Sequence, residues 1–415
     1  MSDPDASAGS VQFDIGEVFF SRTDKRGIIR AGNTVFRRVA DFDWPELLGA
    51  PHKIVRHPDM PKAVFRILWD RIQAGRLTCA YVKNRTKGGQ SYWVFAVVTP
   101  IEDGYLSVRV KPTSPLFARV QQVYAAHLAR ETEEDLSPEG SAAAMLETIR
   151  GLGYADYDAF MAAAISTELK QRDAAIGQVE SERYGLLRRL SEQTEELGGQ
   201  CDGLTRQFEA IRAVPINLGI AAASLGDDGR PIAVIAENYA MMCREVFKKL
   251  ATLESDGSGG HSAIARAAVL AMNLGGCAQV LEEASAAFAA EQETIPVDRA
   301  EEIGRLTALA ARMKEMALDS LRGVCTELAV LAMTFGDLER LVAGLDVTRI
   351  LCRVEGGRLP PARAADLIDI IESLDTFHTG LSERLAHLDQ LTEAMNATGG
   401  ALGADERRAV RRQAA

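Results

Sequence analysis

The chain has 415 residues, 47% of them apolar and 25% charged, with a formal net charge of −11. That composition is ordinary for a globular protein of about two to four domains, and its acidity argues against a nucleic-acid partner. No apolar run reaches the roughly 20 residues that cross a bilayer, and the polar, acidic start MSDPDASAGS has neither signal- nor transit-peptide character. The expectation is a cytoplasmic protein without a membrane span.

Six cysteines (Cys79, Cys201, Cys243, Cys277, Cys325, Cys352) lie far apart, with no CxxC and no zinc spacing. They read as reduced, mostly buried thiols. Residues 1–115 hold all three tryptophans, and 17 Lys and Arg against 12 Asp and Glu; the remaining residues hold 30 against 46. This predicts an aromatic-rich head and a long acidic helical body. The boundaries read as a flexible N-terminus (1–16), a head (17–115), a connector with a helical hairpin (116–253), a linker (254–262), a C-terminal helical bundle (263–398) and a flexible tail (399–415).

In the head, EVFFSRT and GIIRAGN read as short strands joined by DKRG, a tight-turn sequence. NTVFRRV and DWPELLG read as short helical turns. In DMPKAVFRILWDRIQAG, Phe65, Leu68, Trp69 and Ile72 recur at three- and four-residue steps and Gly75 suits the C′ position, which predicts an amphipathic helix. LTCAYVKNR, QSYWVFAVVTPI and YLSVRVKP complete the set as strands, joined by the turn sequences TKGG and EDG. The predicted fold class is α+β: a five-stranded antiparallel sheet with helices on one face, followed by an all-α coiled-coil or helical-bundle body.

Residues 19–39, ELLGAPHKIVRHPDMPKAVF with LW after it (46–69), VKNR (82–85), YWV (92–94) and SVRVKPT (107–113) resemble the flavin-binding PAS domain of bacterial aerotaxis receptors. The resemblance implies FAD held non-covalently. The matched positions that would line or support its pocket are Asn33, Arg56, His57, Asp59, Trp69 and Asn84. The family pattern carries an aromatic where GRLTC places Thr78.

The residue types suit such a ligand. A flat ring that takes up an electron and a proton needs an apolar slot, an aromatic wall and polar groups that re-pair. Asn84 offers an amide with both donor and acceptor. Arg56 is a permanent cation, able to meet a diphosphate or to favour electron density on the ring. His57 and Asp59 would form a polar pair at the mouth. Structural readings stand beside these roles. Asp59 suits a helix N-cap with Pro61 at N1, Arg56 and Asp59 suit a local ion pair, and Trp69 suits the core. Two other readings stay open: a haem site using His52 or His57, and a cofactor-free dimerisation module. A blue-light flavin site would need a cysteine where this chain has Gly49-Ala50-Pro51-His52.

In the body, Leu187, Leu190, Thr194, Leu197, Cys201, Leu204, Phe208 and Ile211 keep a 3-4 spacing, and Ile232, Ala236, Tyr239, Cys243, Val246, Leu250 and Leu253 resume it after GDDGRP. This predicts an antiparallel helical hairpin, with Pro231 near the start of the returning helix and Pro215 interrupting the incoming one. The hairpin tip, INLGIAAASLGDDGRPIAVIAEN (216–238), resembles the cytoplasmic tip of methyl-accepting chemotaxis receptors, matching at Asn217, Gly226, Gly229, Arg230 and Glu237 among others. Ala221 and Ser224 replace that family's Glu and Arg. The resemblance implies docking of a histidine kinase and its coupling protein. Glu282 and Glu283 are a partial match to a methyl-acceptor pair, but read first as a solvated acidic pair. The expectation is a homodimeric, non-enzymatic redox or oxygen sensor.

Overall fold

The computed structural model describes residues 13–413 apart from residue 180 and residues 255–259. Most of the expected N-terminal segment and linker therefore lie outside the described residues. Contacts divide the chain into two compact units: one runs to Gly185 and includes Val269–Ala317, the other combines Leu186–Ala268 with the chain from Leu318 onward.

The first unit is built on strands β1 (Phe19–Asp24), β2 (Ile29–Gly32), β3 (Thr78–Arg85), β4 (Ser91–Ile101) and β5 (Gly104–Val110), with short helices α1 (Thr34–Ala40) and α2 (Trp44–Leu47) and helix α3 (Lys62–Gln73) between β2 and β3. The sheet is antiparallel, as expected from the sequence, and its strand order is β2-β1-β5-β4-β3. Helix α3 ends in a Schellman motif. Gly75 has φ 76°, its N–H donates to Ile72 O at 3.1 Å, and Arg76 N–H donates to Arg71 O at 2.9 Å. A left-handed residue is needed there, and glycine adopts that conformation without a Cβ clash.

The start of α3 differs from the sequence expectation. The helix opens at Lys62, with Pro61 as N-cap and no capping side chain from its own segment. Pro61 forces Met60 to stay extended, which carries Asp59 out of reach of the first turn. Instead Glu131 Oε1 accepts from Ala63 N–H at 3.2 Å. Glu131 lies on α4 (Pro115–Glu133), which is followed by α5 (Pro138–Gly151) and α6 (Tyr157–Ile176).

Helices cover both faces of the sheet rather than the one face expected. Side chains alternate across strands. Ser21, Asn84, Ala96 and Arg109 face the α3 side. Phe20, Tyr81 and Thr99 face the other side, where Phe20 meets Phe288 edge-on at 4.8 Å, Tyr81 bonds Glu168 and Thr99 Oγ1 lies 3.4 Å from Cys277 Sγ. Those partners come from α6 and from α10 (Gly260–Ala290), while Arg22 binds the buried Glu302 of α11 (Arg299–Gly356).

Helix α10 also corrects the expectation of no apolar run. Ser262–Ala290 is long and apolar enough to cross a membrane by length and composition, and 61% of its most apolar stretch is buried inside the protein. From Val269 onward it packs in the first unit, with Cys277 and Phe288 fully buried. A helix apolar on most sides is what covering a sheet requires.

The second unit is helical: α7 (Glu182–Ala210) from Leu186, α8 (Val214–Ser224), α9 (Arg230–Glu254), the later part of α11, and α12 (Pro361–Gln413). The chain breaks between α7 and α8, where Pro215 occupies the first turn of α8. Gly226 takes φ 66° at the reversal, and Pro231 lies in the first turn of α9. The first seam is buried along its whole length from Leu187 to Ile211, and the second from Ile232 to Leu250. The partner is the same chain: Phe208 packs edge-on against Phe377 at 5.4 Å, and Arg384 Nε donates to Gln207 Oε1 at 2.9 Å. The heptad pattern is thus satisfied within one chain. The tail expected to be flexible from 399 continues α12 as far as Gln413.

Candidate functional site

A cavity of about 310 Å³ lies between the sheet and α3 in the first unit. Phe65, Leu68, Trp69 and Ile72 form one wall from a single face of α3, and Val82, Ala96 and Val98 form the apolar floor on the sheet. The α3 periodicity and the strand alternation meet here.

Of the six residues singled out in the sequence, three line this cavity: Arg56, Trp69 and Asn84. Asn84 is 3% exposed on edge strand β3. Arg56 forms an isolated antiparallel bridge with Asn84, so RHP is laid along that edge like a short extra strand. Its guanidinium stacks 3.8 Å from the Phe65 ring centroid. Burial depresses the Arg56 pKa, and the charge of Glu131 partly opposes that. Trp69 meets Tyr105 edge-on at 5.5 Å. A Cβ on Gly27, whose φ is 76°, would come within 3.1 Å of the Trp69 ring.

The other three are not among the lining residues. Strand alternation that sends Arg56 inward sends His57 outward. His57 Nδ1 accepts from Asp59 N–H at 3.1 Å, and Asp59 reaches Lys83 Nζ at 3.3 Å, so their pairing is local. Asn33 is buried as a structural clamp. Its Oδ1 accepts from Phe20 N–H and Phe36 N–H, capping α1, and its amide donates to Val18 O. Thr78 is also fully buried off the cavity, 3.7 Å from Met161 Sδ.

The polar end of the cavity is built by Arg109 and Ser21, which the sequence did not single out, with His52, named there only as a haem ligand. Arg109 on β5 is 3% exposed. Its Nη2 donates to Ser21 Oγ at 3.0 Å and to His52 Nε2 at 2.6 Å, while Nη1 is buried without a partner. No carboxylate is among the lining residues, whereas Arg26, Lys53, Arg56 and Arg109 all are. Burial, in the absence of a countercharge, lowers Arg109 from 12.5 to about 10. Burial and then the Arg109 charge hold His52 down to about 3, so its ring is neutral, Nε2 accepts and Nδ1 carries the proton. The legible signal was polar residues at alternate positions of two strands: Ser21 and Thr23 on β1, Tyr105, Ser107 and Arg109 on β5.

Elsewhere, Glu283 is held by Arg172 Nε at 3.0 Å and Glu282 by Lys314, so neither acidic side chain stands alone. Among the described residues, no group of three or more His, Cys, Asp or Glu is placed to hold a metal. All six cysteines are free, and only Cys325 is exposed.

Comparison with known proteins agrees with the fold of this unit. A family model described as PAS fold matches residues 31–108. The aerotaxis receptor of Escherichia coli (strain K12) is 39% identical over 119 residues, which is 28% of this chain and 24% of the receptor. The chain therefore matches about a quarter of that relative's length. Among solved structures, a light-oxygen-voltage domain studied with a flavin analogue is 20% identical, covering 28% of this chain and 88% of that one with a TM-score of 0.22. The light state of the blue-light photoreceptor Aureochrome1 LOV is 22% identical, covering 28% and 90%, with a TM-score of 0.21. A PAS domain from Colwellia psychrerythraea is 20% identical, covering 23% and 86%, with a TM-score of 0.21. The five-stranded antiparallel sheet, the α3 wall and the match over residues 31–108 identify the N-terminal part of this chain as a PAS domain, similar in sequence to part of the aerotaxis receptor of Escherichia coli.

Proposed function

We propose that this PAS domain binds FAD and that the chain is a non-enzymatic redox or oxygen sensor, cytoplasmic and homodimeric, feeding a chemotaxis-type signalling complex. The observation that carries the reading is Arg109, a buried guanidinium with a free Nη1 at the polar end of a cavity that has no carboxylate in its lining. An unpaired buried cation suits a ligand that brings or gains negative charge. Bound flavin would supply the electron chemistry. Arg109 would hold the ring's pyrimidine edge and favour electron uptake beside it, Asn84 would present an amide able to donate or accept, and Trp69 would close the slot. The exposed Arg26 and Lys53, with Arg56, would meet the phosphates, which a cavity of about 310 Å³ leaves at its rim.

The haem reading is weaker, because His52 is engaged by Arg109 and His57 lies off the cavity. The output half draws on the receptor-like tip, where Ile216, Ile220 and Val234 are exposed, a natural place for a protein partner. Purified protein should show a flavin spectrum bleached by dithionite, and the released cofactor should have the mass of FAD. A Soret band, or colourless protein from flavin-replete cells, would reject the cofactor assignment. Capture of the chemotaxis coupling protein by the intact chain, lost when Ile220 and Val234 become Asp, tests the output half.

A further inference from the structure

The function proposed above leaves one long helix unused. Helix α6 has buried residues on most sides, from Tyr157 through Asp173. Its contacts are polar and specific. Tyr157 Oη donates to Cys79 O at 2.9 Å and Met161 Sδ accepts from Cys79 N–H at 3.0 Å, so α6 satisfies the backbone of edge strand β3. Asp158 binds Arg71 and Arg76 at 2.5 Å each, which ties α6 to the C-terminal end of α3, the helix that forms the cavity wall.

The most connected member is Glu168, 1% exposed. It accepts from Tyr81 Oη at 2.9 Å, from Thr113 N–H at 2.8 Å, from Ser114 N–H at 3.2 Å and from Ser114 Oγ at 2.5 Å. Ser114 is at the same time the N-cap of α4, accepting from Phe117 N–H at 3.1 Å. One buried carboxylate thus joins β3, the junction between β5 and α4, and α6. A carboxylate buried this deeply is stable only while its donors stay in place. Its donors also sit on the elements that carry the cavity's polar residues: Tyr81 lies three residues before Asn84 on β3, and Thr113 follows Arg109 out of β5.

We propose that Glu168 is the positioning residue through which α6 reads the state of the cavity. A shift of β3 or of the β5 end, as Asn84 and Arg109 re-pair with a ligand, moves the donors of Glu168 and so loosens or tightens α6. The chain leaves α6 through Gly177 toward α7 and the helical body, which gives α6 the position of a relay. Two discrete hydrogen-bonding arrangements around one buried charge are the physical basis of such a switch.

The inference rests on the flavin reading, and the test separates the two. Amide hydrogen exchange over residues 157–176 is compared in the full-length holoprotein, air-oxidised and dithionite-reduced. In the wild type the two states should differ at least about threefold in exchange rate. Glu168→Gln removes the charge and turns one of its two acceptor oxygens into an NH2 donor, and Tyr81→Phe removes only the link to β3. Both should keep the flavin spectrum and lose the redox difference in α6. If Glu168→Gln does not fold, Tyr81→Phe decides. Flavin-loaded wild type with equal exchange in both states, or Tyr81→Phe with an undiminished difference, overturns the relay while leaving flavin binding intact. Colourless wild type overturns both.

Discussion

Replacing Arg109 with Met should stabilise the ligand-free protein and weaken ligand binding at the same time. The fall of the Arg109 pKa from 12.5 to about 10 corresponds to about 3 kcal/mol against keeping the charge in the folded domain at neutral pH. Against this stand the bonds from Nη2 to Ser21 and His52, each worth about 1 kcal/mol net. Met has a similar length and no charge, so the apo domain should gain about 1–2 kcal/mol. Urea unfolding followed by tryptophan fluorescence measures this cleanly, because Trp44, Trp69 and Trp93 are the chain's three tryptophans and all lie in the N-terminal domain. The same variant should bind flavin at least about tenfold more weakly, the loss of one charge-assisted bond. If Arg109→Met destabilised the apo domain by more than about 1 kcal/mol, the guanidinium would be a structural link and the argument from its free Nη1 would fail.

Acid should act through His52. Its folded pKa is about 3, below the ordinary 6.5, so between those values the unfolded chain binds more protons and stability falls as pH falls. The slope from this group is at most about 1.4 kcal/mol per pH unit, starting near pH 6.5; His52→Gln should flatten the pH dependence of the unfolding free energy from urea titrations by that amount, and an unchanged dependence would contradict a neutral ring in the folded state. Gly27→Ala places a Cβ at φ 76° against Trp69; it should cost about 1–2 kcal/mol and lower flavin content on purification. Phe208→Ala removes a fully buried ring between Phe247 and Phe377, and should cost the helical body about 3–5 kcal/mol. Circular dichroism should show an earlier helical transition while the tryptophan transition stays in place; a joint shift would mean the two units unfold as one.

Local regularities were legible wherever one element decides its own form. Strand alternation, the spacing of Phe65, Leu68, Trp69 and Ile72, the glycine after α3 and the 3-4 seams each express a period that the backbone imposes whatever surrounds it. Arg56, Trp69 and Asn84 were named through the family resemblance of their motifs, and all three line the cavity. Asp59 was misread as a cap because proline at 61 moved the helix start by one residue and a carboxylate from α4 took the role. The seams pointed to a partner helix but could not say that α12 of the same chain supplies it.

Sequence by itself determined that the head is a five-stranded sheet with helices and the body helical, because periodicity and turn chemistry are local; the PAS expectation came from the family resemblance of its motifs. Only the tertiary structure decided where charge is left over. Arg109 looks like any strand cation until β1, β5 and the turn carrying His52 surround it with no carboxylate. Glu168 looks like any helix surface residue until β3 and the start of α4 bring four donors to it. Pairing between residues distant in the chain follows from packing, and packing is not written in any one segment.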